Sequence, residues 1–208
     1  MCGRYVISDE EDNIEIRKII QEIDEKFMGT PEREEMRTGE IFPTNIAPVL
    51  LPASSQNGFR AVPLKWGFPR FGGPGVVINA RQETVGVKKM FRSSLATRRC
   101  VIPASGFFEW KESGLQGKKK DKYLLRLPNA PIMYLAGLYN SYPDPKTGKK
   151  YGAFVILTTQ ANNSMRAIHD RMPVILSPKD LPLWLYSHGE AEILLGEEGP
   201  ELVSYMVV

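Results

Sequence analysis

The chain has 208 residues, 42% of them hydrophobic and 25% charged, which is enough apolar material for a buried core and excludes a disordered or fibrous protein. A net charge of +3 permits a nucleic-acid partner without requiring one. Two cysteines, Cys2 and Cys100, exclude a disulfide framework and a zinc constellation and fit a reducing, cytoplasmic compartment. The start MCGRYVISDE lacks the basic and apolar regions of a secretory leader. The longest apolar runs, 132–139 and 153–157, are too short to cross a membrane. No repeat, linker or low-complexity tract divides the chain, so residues 1–208 read as one α+β domain.

Residues 2–7 read as a short strand, and its first residue has unusual chemistry. Removal of Met1 would leave Cys2 with a free α-amine and a thiol on neighbouring carbons, titrating near ~8 and ~8.5. An aldehyde can form an imine with such a nitrogen and then close a five-membered ring through the sulfur. With Met1 attached, the nitrogen is an amide and the route is closed. The ordinary expectation for a second residue is a frayed terminus with no role.

Ser8-Asp9-Glu10-Glu11 has the form of a capping box, and Ile16, Ile19, Ile20, Ile23 and Phe27 then recur at helical spacing, predicting an amphipathic helix over 9–27. Gly29 and Pro31 end it, and residues 29–40 read as a loop with a helical turn. Residues 41–48, with Pro43 and Pro48, are extended; 49–52 and 59–66 form a hairpin turning at 54–58. Residues 66–75 interleave Trp66, Phe68 and Phe71 with glycine and proline, either a loop folded over the core or rings offered for base stacking. A short strand over 76–78 delivers Asn79 and Arg81, and a short helix follows over 87–95. Lys88, Lys89, Arg92, Arg98 and Arg99 form a basic cluster, a solvated face or a phosphate-facing one.

Cys100 lies in an apolar strand over 99–103 and reads as buried and inert. In the strand over 106–111, alternation puts Phe107 and Glu109 on one face and Phe108 and Trp110 on the other. Taken alone, Glu109 reads as turned to solvent; buried, it would have a raised pKa suited to proton transfer. A basic loop over 114–121 precedes three further strands, 122–127, 132–139 and 150–158, in an antiparallel meander. A short helix over 161–168 leads to His169 and a strand over 174–176. Ser177-Pro178 opens a helix to about residue 187, a second short helix covers 190–195, and a last strand covers 202–208.

Seven motifs occur in a fixed order: Met-Cys-Gly-Arg at the start, Asn-Ile-Ala-Pro at 45–48, Trp-Gly-Phe at 66–68, Ile-Asn-Ala-Arg-Gln-Glu-Thr at 78–84, Gly-Phe-Phe-Glu-Trp at 106–110, Thr-Thr at 158–159 and His-Asp-Arg-Met-Pro at 169–173. The set closely resembles the SOS response-associated peptidase (SRAP) family, whose members shield abasic sites in single-stranded DNA, and the resemblance covers residue 2 to about 185. It implies a compact α+β domain around a curved, mostly antiparallel sheet approaching a barrel. It implies that Cys2, freed of Met1 by self-cleavage or by an aminopeptidase, captures the ring-opened sugar as a thiazolidine. It assigns Cys2, Asn79, Glu109 and His169 to the centre, with Arg4, Asn45, Pro48, Trp66, Phe68, Arg81 and Thr159 toward DNA.

The partner this implies is single-stranded DNA carrying abasic sites, bound by a cytoplasmic monomer that joins the nucleoid with its substrate. No cofactor and no metal are expected. Two other readings remain open on the residues: a cysteine peptidase with Cys2 as nucleophile and His169 as base, and a non-catalytic binder of single strands.

Overall fold

The computed structural model describes residues 2–8, 13–54, 58–113, 119–187 and 189–207. The strands and helices, in chain order, are β1 (Tyr5–Ile7), α1 (Ile14–Phe27), α2 (Pro31–Glu34), β2 (Gly39–Ile41), β3 (Ile46–Pro52), β4 (Phe59–Trp66), β5 (Phe68–Pro69), β6 (Val76–Val77), β7 (Asn79–Arg81), α3 (Gln82–Val85) and α4 (Arg92–Thr97). There follow β8 (Arg99–Ala104), β9 (Gly106–Ser113), β10 (Lys119–Arg126), β11 (Met133–Pro143), β12 (Lys150–Gln160), β13 (Arg171–Pro173), β14 (Ile175–Leu176), α5 (Leu181–Tyr186) and β15 (Val203–Val207). Residues Pro178–Asp180 and Glu190–Gly196 are 3-10 turns.

The expected curved sheet closes on itself. Around the ring run β3, β4, β12, β11 and β8, with β8 pairing back to β3. Every residue of β8 is buried, as are Ala153–Thr159 of β12, so these strands read as apolar runs rather than alternating ones. Most pairings are antiparallel, but β12 meets both β4 and β7 in parallel. Helix α1 lays Ile16, Ile19 and Ile23 against β3 and β4, so these three isoleucines are core.

A second sheet, ordered β15-β10-β9-β1-β2, covers one side of the barrel. The chain passes between the two sheets at Ser105, whose backbone N–H donates to Val6 at 2.8 Å. Gly106 is required there, because a Cβ would lie 2.8 Å from the Leu125 carbonyl oxygen.

Several boundaries differ from the sequence reading. The capping box at 8–11 falls largely outside the described residues, as do most of the 54–58 turn and the 114–121 loop. The segment 29–40 contains β2 as well as the helical turn α2. Of the helix expected over 87–95 only 92–95 is helical, in α4, with α3 preceding the expected span, and 163–168 is a run of hydrogen-bonded turns. Ser177 does not cap a helix with its side chain; its hydroxyl donates to Asp180 Oδ2 at 2.5 Å and a 3-10 turn precedes α5. Among the described residues no helix is long and apolar enough to cross a membrane.

The barrel wall leaves no room at Gly137, where a Cβ would meet Ile102 and lie 2.8 Å from the Val155 carbonyl oxygen. Gly137→Ala is expected to lower stability by about 1–3 kcal/mol, read as a fall in the urea midpoint at an unchanged slope.

Candidate active site

The polypeptide entering β1 is held between the two sheets. Cys2 is fully buried, and the Arg4 carbonyl accepts the Phe108 N–H at 2.9 Å, which fixes residues 2–4 against β9. Asn79 opens β7, whose parallel pairing with β12 sets Asn79 opposite Ile156. Its Nδ2 donates to the Cys2 carbonyl at 2.9 Å, while its Oδ1 is buried with no hydrogen-bond partner among the described residues.

Glu109 projects from β9 and is 3% exposed. The solvent-facing reading is therefore corrected: β9 covers the barrel, so the face shared by Phe107 and Glu109 is the inner one. Burial first, and the Glu109 charge second, push the Cys2 thiol well above the usual thiol range. The thiol is thus protonated at neutral pH, and Glu109 is close enough for its charge to be felt by the sulfur.

His169 is carried to the same end of the barrel as Asn79, because β13 and β7 both pair with the last residues of β12: Thr158 stands opposite Arg81 on one side and Pro173 on the other. Its Nδ1 accepts the Arg171 backbone N–H at 2.9 Å, a contact that favours the neutral ring with its proton on Nε2. Asp170 Oδ1 is also 2.9 Å from Nδ1.

Cations flank this centre. Arg4 pairs with Glu40 at 3.1 Å, and its guanidinium lies 4.2 Å from the centre of the Phe42 ring and 5.0 Å from that of Trp110. Lys122 shares Glu40 at 2.8 Å and lies 4.0 Å over Phe108. Partial burial works against the Glu40 charge, but Lys122 and then Arg4 hold its carboxyl below the usual range. Arg81 is exposed, and with Arg166, Arg171 and Asp170 it lines a cleft of about 420 Å³.

Other expected DNA contacts are placed elsewhere. Trp66 and Phe68 are fully buried. Trp66 packs between Tyr5 and Phe154, at 5.1 and 6.3 Å between ring centres, and its Nε1 donates to the Ile78 carbonyl at 3.1 Å. Neither ring can lie on a base in this conformation. Pro48 is buried in the barrel wall, and Thr159, 8% exposed, borders a separate apolar cavity with Val174 and Leu176. Asn45 shapes a turn: its Oδ1 accepts the Phe42 N–H at 2.9 Å and its carbonyl accepts the Trp66 N–H at 2.8 Å.

The basic cluster also divides. Arg99 is buried and donates to the carbonyls of Trp184, Leu95, Ala96 and Ser187, closing the ends of α4 and α5 rather than facing phosphate. Conversely, the partly exposed aromatics beside the centre are Phe42 and Trp110, which sequence reasoning left without a role. The signal for Trp110 was present in the alternation, which sets it on the face opposite Glu109.

A barrel domain whose buried second residue is a cysteine, tied by an asparagine and set beside a buried glutamate, defines a narrow class. The pattern of the family described as SOS response associated peptidase (SRAP) matches residues 1–207, and the chain belongs to that family. The match extends past residue 185 and takes in β15. The abasic site processing protein YoqW of Bacillus subtilis (strain 168) is 35% identical over 190 residues, covering 89% of this chain and 80% of that protein. The abasic site processing protein YedK of Escherichia coli (strain K12) is 29% identical over 208 residues, covering 98% and 86%. An X-ray structure of a protein from Bacteroides thetaiotaomicron has the same fold, with a TM-score of 0.77 at 23% identity over all of this chain and 92% of the other.

The raised thiol pKa has a measurable consequence. Since the thiolate alone is alkylated, Cys2 in the folded protein should react with iodoacetamide far more slowly at neutral pH than in the unfolded chain, and its rate should keep climbing with pH beyond the range in which an ordinary thiol levels off. Peptide mapping of the alkylated residue reads this out. Rapid neutral labelling of folded Cys2 would contradict it.

Proposed function

We propose that this protein, once Cys2 carries the free α-amine, captures abasic sites in single-stranded DNA as a thiazolidine. The observation that carries the reading is the Cys2 backbone held by Asn79 at 2.9 Å beside the buried carboxyl of Glu109. Curated relatives that this chain resembles are named abasic site processing proteins, which supports the substrate class.

The chemistry balances as follows. The closed sugar opens when a proton is taken from the C1′ hydroxyl and one is given to the ring oxygen, a shuttle suited to a buried carboxyl and to a His169 that presents Nε2–H. The Cys2 amine adds to the C1′ aldehyde, and loss of one water gives the imine. The thiol then adds across the carbon–nitrogen double bond. The C1′–S bond forms, and the sulfur's proton passes to the nitrogen, directly or through Glu109. Overall, the protein and the DNA join with loss of one water, and no oxidant or metal is consumed.

The order follows from the bonds, since the sulfur has a carbon–nitrogen double bond to add to only after the amine has formed the imine. Arg4 and Arg81 would take phosphates, and Phe42 and Trp110 would offer ring faces to neighbouring bases.

Met1-free protein should form an SDS-stable adduct with an abasic single strand, and Cys2→Ala should abolish it. Glu109→Gln should slow adduct formation about 10²–10⁴-fold, the usual effect of losing a positioned acid–base group. Asn79→Ala should slow it by about three- to tenfold, the worth of one net hydrogen bond. An adduct that survives Cys2→Ala at the native rate would overturn the proposal.

A further inference from the structure

Asn79 and His169 lie 90 residues apart in sequence; Asn79 opens β7, His169 lies two residues before β13, and β7 and β13 do not pair with each other. Both depend on the end of β12 for their position. One further connection joins them. Four residues after Asn79, Glu83 lies in the first turn of α3; two residues after His169, Arg171 opens β13. Their side chains meet in a two-pronged ion pair, Nη1–Oε1 at 2.5 Å and Nη2–Oε2 at 3.0 Å. Arg171 Nη2 also donates to the Thr158 carbonyl of β12 at 2.7 Å. One guanidinium thus bolts the Asn79 segment, β12 and the His169 segment together.

The Arg171 side chain is only 10% exposed, so its charge depends on this carboxylate for compensation. The consequence reaches His169 through the backbone. The Arg171 N–H is the donor to His169 Nδ1, and the side-chain bolt holds that N–H in place. Asp170 Oδ1 stands ready at the same nitrogen and can only accept. If the Arg171 backbone moves away, the favoured neutral ring becomes the one with its proton on Nδ1, donated to Asp170, and Nε2 changes from donor to acceptor.

We propose that Glu83 is a positioning residue which, through Arg171, keeps His169 in the tautomer that presents Nε2–H to the site. The carboxyl of Glu83 is held below its usual range, first by its bond to Arg171, in keeping with a pair that stays charged at neutral pH. The role of His169 in capture rests on the function proposed above; the tautomer itself does not.

The chain has two histidines, so ring-labelled ¹⁵N-histidine gives two sets of signals, and His188→Gln assigns them. In DNA-free native protein the His169 signals should show a bare Nδ1 and a protonated Nε2. Glu83→Gln should move the population toward protonated Nδ1, and Glu83→Asp, which keeps the carboxylate, should restore part of the native pattern. With abasic strand, Glu83→Gln should lower the adduct rate at saturating DNA by about ten- to a hundredfold, a misplacement-sized effect, without raising the DNA concentration for half-maximal rate. Should Glu83→Gln fail to fold, Arg171→Lys, which keeps the charge but loses the two-pronged geometry, carries the same expectation for the His169 ring signals. Native-like His169 signals in a folded Glu83→Gln or Arg171→Lys variant overturn the inference. Absence of any adduct from native protein would instead count against the capture chemistry and leave the tautomer readout to decide this point.

Discussion

A single hydrogen bond, from the Asn79 side-chain amide to the Cys2 carbonyl at 2.9 Å, joins the covering sheet to the barrel at the point where the chemistry lies. A residue at position two would ordinarily fray, because ordering it costs conformational entropy that few contacts offset. Here Cys2 is fully buried, the Arg4 carbonyl is taken by Phe108, and Tyr5 packs on Trp66. The price of that order falls to the fold, and the proposed capture depends on it: an aminothiol on a mobile end would meet aldehydes at random, whereas one held by Asn79 would meet them in one orientation.

Burial also divides the labour within the site. It raises the thiol's pKa, and the Glu109 charge adds to the same effect. In the capture proposed above the nitrogen acts first and the sulfur second. Cations are kept outside this inner layer. Arg4 and Lys122 share Glu40 and lie over aromatic rings, while Arg81, Arg166 and Arg171 gather at the cleft beyond β12.

Much of the barrel was legible in the sequence, since the hairpin β3–β4 and the long strands β11 and β12 are bounded by glycine, proline and asparagine and carry apolar runs of strand length. The grouping of Cys2, Asn79 and Glu109 came from the resemblance and not from the residues taken singly, since Glu109 alone reads as turned to solvent and is buried in the structure. What failed was the side from which a residue is seen. Trp66 and Phe68 lie in a stretch so rich in glycine and proline that a loop folded over the core and rings offered to bases both stayed open, and the resemblance turned the choice toward the bases. Gly67 explains the error: its φ of 120° and the 2.7 Å that separates a would-be Cβ from Val76 show a backbone turned tightly against the protein, with the Gly67 N–H bonded to the Phe154 carbonyl at 2.8 Å. That turn folds both rings inward. Arg99 misled in the same way, since its partners are carbonyls from α4 and α5, more than eighty residues apart in the case of Trp184. The Glu83–Arg171 pair was equally invisible, because only the shared pairing of β7 and β13 with β12 brings those positions together.

The most direct test of the central claim is the intact mass and peptide map of Met1-free protein after incubation with an abasic single strand and no reductant. The account predicts a species whose mass is the sum of protein and DNA less one water, with the linkage mapped to Cys2. A linkage at a lysine or at Cys100, or one seen only after borohydride trapping, would contradict it.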